Sequence, residues 1–578
     1  MPRITIDEKS MDVPDGLNIL QAALMAGIDI PTLCNHEDLN PRGACGLCIV
    51  EIEGESNYKR SCVTKVCDGM KIRTNTAALR TIRRGLFELI LAAHPEDCLK
   101  CIKHGKCELQ SLAERFEIRY LKYDKYTRGL PLDSTSCSVF RDMNKCIGCG
   151  RCVDVCNSVQ SVGSIFFQGR GSDTIVAPAV NHHMGDSVCA NCGQCIVYCP
   201  VGALYENEVI EDVWRALDDK EKLVITQIAP AVRVSIGEEF GLEAGEVLIG
   251  QLYAALKKIG VDVVFDTNFT ADLTIMEEGT EFLNRLNTGG VLPLITSCSP
   301  GWIKFGETYY PELLENISTC KSPQQMMGAL IKTYYAQSRG IDPARIVSLS
   351  IMPCTAKKFE AARPEMRASG FRDVDYVLTT RELARMLKQA GIRFEDLEPV
   401  PPDPVLSTYS GAGTIFGATG GVMEAALRTA YELKTGQALQ KLEFEVVRGM
   451  EGIKEATIDV AGTPIKVAVA HGLGNARRLL DKVSEDKRQG KTEYHFIEIM
   501  ACTGGCVGGG GQPIPNTIDV RMKRSDGLYL EDGSLPIRKS HENPEVKGLY
   551  EEFLEKPCGE RSHHLLHTHY ESRKAYGR

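Results

Sequence analysis

No uninterrupted apolar stretch of this sequence approaches the ~18 residues of a membrane span, so none is expected in a bilayer. Positive charge is not in excess. Lys and Arg number 67 against 76 Asp and Glu, a formal net charge of −9, which disfavours a nucleic-acid surface and would suit a basic partner. The opening stretch, "MPRITIDEKSMDVPDG", carries acids and has no apolar core, so no secretory signal is expected. A dinucleotide fingerprint is also missing: "GATGG" (417–421) and "GGGG" (508–511) lack the strand, loop, helix and acidic partner that such a site needs. Cysteine itself is absent from the long stretch between Cys199 and Cys298.

Elsewhere cysteine is abundant, 23 in 578 residues, and it is clustered as random burial would not produce. Five lie in 34–67, three in 98–107 and nine in 137–199; the rest are Cys298, Cys320, Cys354, Cys502, Cys506 and Cys558. A reducing cytoplasm is the expected location, which argues against structural disulfides and for metal or redox use. The length suggests about three to five domains. Strands are expected at "RITI" (3–6) and "LCIVEI" (47–52), and helices at "NILQAALMAG" (18–27) and "LRTIRRGLFELILAA" (79–93). From about residue 222, buried strands such as "KLVITQIAP" and "VDVVFDT" alternate with amphipathic helices such as "EVLIGQLYAALKKIG" and "TRELARMLKQAG". That alternation implies an α/β domain with a largely parallel sheet. The tail after about 540 is charged and His-rich.

One repeat is plain: Cys146, Cys149, Cys152 and Cys156 recur at the same spacing as Cys189, Cys192, Cys195 and Cys199. In the bacterial ferredoxin pattern the first three cysteines of each run hold one 4Fe-4S cluster and the fourth holds the other. Cys146, Cys149, Cys152 and Cys199 are thus one expected ligand set, and Cys156, Cys189, Cys192 and Cys195 the second. Pro200 follows the second run as the pattern requires, whereas Asn157 follows the first. Zinc is the competing metal, and two tandem runs weigh against it. Cys34, Cys45, Cys48 and Cys62 form another set, beside Gly43, Ala44 and Gly46, whose small size lets backbone amides approach cluster sulfides. This spacing resembles the 2Fe-2S module of complex I-type subunits; Cys67 is left over and is expected to be buried and inert. Cys98, Cys101 and Cys107 are one ligand short of a cubane set, and His94 is the nearest candidate. A histidine so placed is by itself more often a surface or capping residue.

Three further motifs follow in order: "TSCSPGW" (296–302), "MPCTAKKFE" (352–360) and "EIMACTGGCVGGGGQP" (498–513). With the cluster motifs they make the whole chain resemble the iron-only (FeFe) hydrogenases, large multi-cluster type, similar to clostridial monomeric enzymes and to catalytic subunits of NAD(P)-linked hydrogenases. The resemblance implies a multidomain α+β and α/β protein, with N-terminal ferredoxin-like cluster modules followed by a large α/β H-cluster domain. The implied segments are a 2Fe-2S domain (1–78), a 4Fe-4S module with one His and three Cys ligands (79–120), a two-cluster 4Fe-4S domain (121–209), the catalytic domain (210–520) and a C-terminal wrapping segment (521–578).

In this family the H-cluster is a 4Fe-4S cubane joined through a cysteine sulfur to a diiron unit with CO, CN⁻ and azadithiolate ligands. The resemblance gives Cys354 and Cys502 to the cubane, and Cys506 to both cubane and bridge. It puts Lys357 beside a cyanide, Gln324 near the bridging CO, and Pro230, Ala231, Met352, Met500 and Phe416 around the diiron unit. Its proton relay is Cys298, Glu278, Ser318, Glu281 and Arg285; the spacing of Glu278, Glu281 and Arg285 puts them on one helix face, where a solvated ion-pair stripe is the plainer reading. The family motif is usually TSCCPGW, so Ser299 stands where the fourth cubane ligand is expected. Serine oxygen is harder than thiolate and matches an iron–sulfur site poorly. Pro300 restricts Ser299 to extended backbone, so Cys298 and Ser299 are expected to face different surfaces, proton channel and cluster. Cys320 has no assigned role.

The implied activity is reversible H2 oxidation and proton reduction, with one 2Fe-2S cluster, three accessory 4Fe-4S clusters and the H-cluster as cofactors. Implied partners are H2 and protons, ferredoxin or flavin- and NAD(P)-binding hydrogenase subunits, and maturation proteins, with no nucleic acid and no membrane. The alternative is a sensory or low-activity relative with an H-cluster modified at Ser299.

Overall fold

The computed structural model describes residues 1–439, 441–460 and 462–575. The chain divides into two units. The first comprises Met1–Ser158, Gly163–Ser187 and Tyr198–Tyr205; the second comprises Val159–Val162, Val188–Val197 and the chain from Glu206 onward.

The first unit opens with a five-stranded sheet in the order Lys9–Asp12, Arg3–Ile6, Lys71–Arg73, Ile49–Ile52, Lys59–Arg60. Its alternating apolar residues, Ile4, Ile6, Val50, Ile52 and Ile72, pack on the helix Ile19–Met25. That helix starts at Asn18 because Asn18 and Gln21 satisfy each other's backbone amides, a capping box. The expected helix at 79–93 spans Ala77–Ala92. Cys67 is exposed, which corrects the expectation of a buried thiol. It lies in a turn closed by Met70 N–H donating to its carbonyl, outside the apolar core.

The second unit is built on two four-stranded sheets. In one, Val263–Asp266, Leu223–Ile228, Ile346–Met352 and Tyr376–Thr379 lie side by side and all parallel. Side chains alternate across it. Val224 and Val264 pack with the helices Ile249–Lys258 and Thr380–Gln389, and Ile225 and Phe265 pack with Thr267–Thr288 and Pro323–Leu330. Burial on both faces is the rule for parallel sheets. The other sheet runs Leu294–Ile295, Phe496–Met500, Thr463–His471, Ile453–Val460, with an antiparallel final pair. Among the described residues, no helix is long and apolar enough to cross a membrane.

Open α/β sheets place their sites beyond the carboxyl ends of parallel strands. Here those ends deliver Ala229 and Pro230, Pro353 and Cys354, Thr296–Ser299, and Ala501 and Cys502. All three sequence motifs of the large domain therefore lie at, or run across, the end of a strand.

Candidate active site

The strand ends surround a cavity in the second unit. Cys298, Ser299, Cys354, Cys502 and Cys506 all line it, with Lys357 and Gln324 as polar groups and Pro230, Met352, Phe416 and Met500 as apolar wall. Cys298 and Ser299 thus share one cavity, which corrects the expectation of opposite surfaces. Ser299 is extended (φ −103°, ψ 97°), as Pro300 requires, but it is also the N-cap of the helix Pro300–Tyr309. The chain turns there, so strand alternation no longer applies. The Ser299 hydroxyl makes no bond to its own helix; it accepts from Ala501 N–H at 3.1 Å, next to Cys502. Ala231 does not line the cavity: it packs with Val234, Ala418 and Leu528, while its carbonyl accepts from Gln512 Nε2 at 3.0 Å.

The polar side is held by a residue that sequence reasoning missed. Glu360 is buried and accepts from Lys357 Nζ at 3.0 Å, Gln324 Nε2 at 2.9 Å and Ser322 Oγ at 2.8 Å. Lys357 also donates to the Cys298 carbonyl at 3.1 Å. Glu360 follows Lys357 by three positions on the helix Ala356–Ala361, and that spacing was the available signal. Cys192 lines the cavity too. Its loop is fastened by Thr355 Oγ1 donating to Asn191 O at 2.7 Å and Gln194 Nε2 donating to Gly508 O at 2.9 Å. Glycine is needed at this seam: a Cβ on Gly510 would collide with the Cys192 carbonyl, and one on Gly193 with Thr355 Oγ1. Two further side chains hold the last motif. His471 Nδ1 accepts from Gly504 N–H at 3.0 Å, and buried Glu498 accepts from Gly420 and Met423 N–H at 2.6 and 2.7 Å.

The helix Thr267–Thr288 carries Glu278, Glu281 and Arg285. Glu278 is 1% exposed, so a solvated stripe is excluded there. Burial, reinforced by Glu281, pushes its carboxyl up to about 8, against a hydrogen bond from Ser318. Ser318 Oγ donates to Glu281 at 2.8 Å, and Arg285 donates to Glu281 at 2.6 Å. Burial, then Glu278, raises the Cys298 thiol well above its usual range. Ser318, Glu281 and Arg285 thus bond in series, with Glu278 against Ser318 and within electrostatic reach of Cys298 on the cavity wall.

The donor set fits an iron–sulfur group. Burial also raises the thiols of Cys354, Cys502 and Cys506, so without metal they stay protonated, and iron would displace protons as it binds. Three soft donors, one hydroxyl and a buried ammonium suit an anionic cluster in an apolar enclosure.

The first unit gathers its thiols in local loops. Cys48 Sγ lies 3.4 Å from Cys62 Sγ, and Cys45 N–H donates to Cys34 Sγ at 3.5 Å. Cys98, Cys101, Cys107 and His94 line one cavity. His94 is buried, its Nδ1 has no hydrogen-bond partner, and burial lowers its pKa to about 4, leaving a neutral imidazole. Cys146, Cys149 and Cys199 lie within electrostatic reach of one another. Where the proline is missing, Asn157 Nδ2 donates to Val153 O and Ile165 O at 2.7 and 2.9 Å. Cys156 belongs to this unit, and Cys189, Cys192 and Cys195 to the other.

Comparison with known proteins matches the same segments. Residues 222–510 match the iron only hydrogenase large subunit, C-terminal domain, and 518–573 the iron hydrogenase small subunit. Residues 2–77 match a 2Fe-2S iron-sulfur cluster binding domain, 83–121 the NADH-ubiquinone oxidoreductase-G iron-sulfur binding region, and 145–203 a 4Fe-4S dicluster domain. The chain is 51% identical to the NADP-reducing hydrogenase subunit HndD of Solidesulfovibrio fructosivorans, over 99% of both chains. It is 41% identical to iron hydrogenase 1 of Clostridium pasteurianum, over 99% of this chain and all of that one. A solved variant of apo [FeFe]-hydrogenase HydA1 from Chlamydomonas reinhardtii superposes with TM-score 0.56 at 43% identity, covering 63% of this chain and 99% of its own. Iron–sulfur domains leading into an H-cluster domain, with relatives matched from end to end, mean that this chain belongs to the iron-only hydrogenases, oxidoreductases acting on H2.

Proposed function

We propose that H2 chemistry runs in the cavity lined by Cys298, Ser299, Cys354, Cys502 and Cys506, with protons moving along Glu278, Ser318, Glu281 and Arg285. The observation that carries this reading is the convergence of all three motifs on one enclosure that adjoins a buried acid row. Cys354, Cys502 and Cys506 would hold the cubane of the H-cluster, Cys506 would also link it to the diiron unit, and the Ser299 hydroxyl, on the same cavity wall, would stand in for the fourth cysteine. When bound, the H-cluster supplies the open iron at which H2 is split or formed. The protein's own work is proton handling and enclosure. Cys298 passes a proton between the cavity and Glu278. Ser318 and Glu281 carry it outward, and Arg285 steadies Glu281 by a charge-assisted hydrogen bond. Glu360 aims Lys357 and Gln324 into the cavity, while Pro230, Met352, Phe416 and Met500 exclude water.

Electrons would arrive over four accessory clusters. The 2Fe-2S set is Cys34, Cys45, Cys48 and Cys62. The His-ligated 4Fe-4S set is His94, Cys98, Cys101 and Cys107, supported by the orphaned Nδ1 of His94. The other two sets, Cys146, Cys149, Cys152, Cys199 and Cys156, Cys189, Cys192, Cys195, rest on the repeat. With the H-cluster the ligand arithmetic requires about 20 irons. The five segments 1–78, 79–120, 121–209, 210–520 and 521–578 are the proposed division of this work. The proposed partner is a flavin- and NAD(P)-binding subunit, in line with the name of the 51%-identical relative and the lack of a nucleotide fingerprint here; ferredoxin is the other acceptor considered. Maturation proteins would supply the diiron unit, in the cytoplasm.

The test is infrared spectroscopy after anaerobic reconstitution and maturation, with H2 uptake measured on the same sample. CO and CN bands accompanied by H2-dependent dye reduction are expected. An iron-replete protein without those bands, or one that takes up zinc in place of iron, would reject the reading.

A further inference from the structure

The C-terminal helix Glu560–Leu566 ends at His567, which is buried against two carboxylates of the helix Thr267–Thr288. His567 Nε2 lies 3.0 Å from Glu277 Oε2, and its Nδ1 lies 2.7 Å from Thr319 Oγ1. Thr319 Oγ1 is in turn 3.4 Å from Glu281 Oε2. These contacts fix where the hydrogens sit. Glu277 already accepts from the Tyr550 hydroxyl at 2.6 Å and from Cys558 N–H at 2.7 Å, so the carboxylate faces His567 as an acceptor and Nε2 carries a hydrogen. In the neutral ring Nδ1 is then an acceptor, and the Thr319 hydroxyl donates to it. In the charged ring Nδ1–H donates to Thr319, whose hydroxyl turns toward Glu281. The same heavy atoms serve both states.

Arg285 cannot complete the relay alone, because a guanidinium is permanently protonated and has no lone pair to receive a proton. Nearby thiols are no better carriers: burial raises Cys320 and Cys558 above their usual range, with Glu281 adding at the first and Glu277 at the second. Tyr550 is raised by burial and then by Glu277. His563 stacks on His567 with ring centroids 4.6 Å apart, but a stacked ring offers no hydrogen-bonded route.

We propose that Glu281 is a fork, and that a second proton branch runs from it through Thr319 and His567 to Glu277. The proposal rests on the relay reading above. A proton on Glu281 passes to Thr319 Oγ1 as the Thr319 hydrogen passes to His567 Nδ1. The Nε2 hydrogen then passes to Glu277, and one proton has moved; the ring, now protonated at Nδ1 alone, must rotate before it passes the next. Glu277 is itself fully buried, and the half-buried Cys558 turn, whose N–H it accepts, is the side by which that proton would leave.

The test uses the matured full-length enzyme and asks whether two outlets run in parallel. Thr319→Val keeps the shape and removes the hydroxyl. Less than about a tenfold fall in turnover, below the usual cost of removing a positioned acid–base group, is expected while Glu281 can still release its proton to solvent beside Arg285, with recovery in Thr319→Ser. Combined with Arg285→Met, the loss should exceed the product of the two single losses and approach the roughly 10²–10⁴-fold cost of removing a positioned acid–base group. In pH-jump infrared difference spectra, the carboxylic C=O band that Glu277→Gln abolishes should also vanish in Thr319→Val. His567→Gln, which can still donate to Glu277 but cannot take up a proton, should repeat both results if Thr319→Val loses its fold. A double variant whose loss is only multiplicative, or an unchanged carboxylic band, overturns the fork. Full turnover in Glu281→Gln would instead overturn the relay itself, so the two failures are distinct.

Discussion

The first unit collects its thiols from short stretches: Cys34 to Cys62 would make one set, and His94 to Cys107 another. The cavity of the second unit takes Ser299, Cys354, Cys502 and Cys506 from far-apart segments, and Ser299 bonds to Ala501 across 202 positions. Cys48 and Cys62 already sit in the apolar core of the five-stranded sheet, whereas Cys98 and Cys101 lie in a short turn, where metal binding would supply more of the folding free energy. The cavity is shaped by two sheets whose cores include none of Cys354, Cys502 and Cys506, although Cys298 packs against one of them. The difference teaches that one molecule can form some metal sites with their metal and prepare another before its cofactor arrives.

Variants can break this contrast, and complete loss comes first. Cys506→Ala should abolish the CO and CN infrared bands and all H2 turnover, while the electron-paramagnetic signals of the accessory clusters persist. Loss of those signals as well would end the idea of independently prepared sites. Glu278→Gln or Cys298→Ala should lower turnover roughly 10²–10⁴-fold, the usual contribution of a positioned acid or base, with the infrared bands nearly intact. Wild-type rates in either would send the protons elsewhere.

Ser299→Cys should have a smaller and opposite effect, with higher cofactor occupancy, higher activity and a changed cubane signal. If occupancy, spectrum and rate all stay the same, position 299 is no ligand. In the local loops, His94→Cys should keep a cluster at a shifted potential and His94→Ala should open one iron corner; identical spectra in both would make His94 a bystander. The smallest effect concerns pH. Glu278 titrates at about 8 in the folded chain and near 4.5 unfolded, so the folded state holds an extra proton between those values. The stability this contributes is full below pH 4.5 and is lost as pH rises through about 8. Denaturant titrations should therefore show wild type losing stability relative to Glu278→Gln across that window; parallel curves would mean that the carboxyl titrates normally.

Legibility followed the same division. The cysteine loops could be read because their ligands are neighbours in sequence and spacing encodes geometry. The α/β class could be read because strands buried on both faces leave continuous apolar runs such as "LVITQI". Glu360 was within reach, one helical turn from Lys357, but nothing marked it as a holder of both Lys357 and Gln324. Cys192, His471 and His567 were out of reach, since their partners lie far along the chain and only tertiary packing joins them. Ala231 and the Cys298–Ser299 pair were misplaced for a shared reason. Each sits where a strand gives way to a helical turn, and there neither the alternation of a strand nor the period of a helix governs direction. Cys67 was misread because exposure in a turn leaves no trace in composition.

The seam between Cys192–Gly193 and Gly508–Gly510 also limits how this lineage can vary. Neither chain segment has room for one more carbon, and at Gly510 the obstacle is the Cys192 carbonyl of the opposite segment, so a substitution there is tolerated only when that segment shifts with it. Descendants should therefore inherit the 191–194 and 508–511 segments as a pair. A chimera that takes one from a distant relative and leaves the other behind should assemble poorly, even though every iron ligand is present.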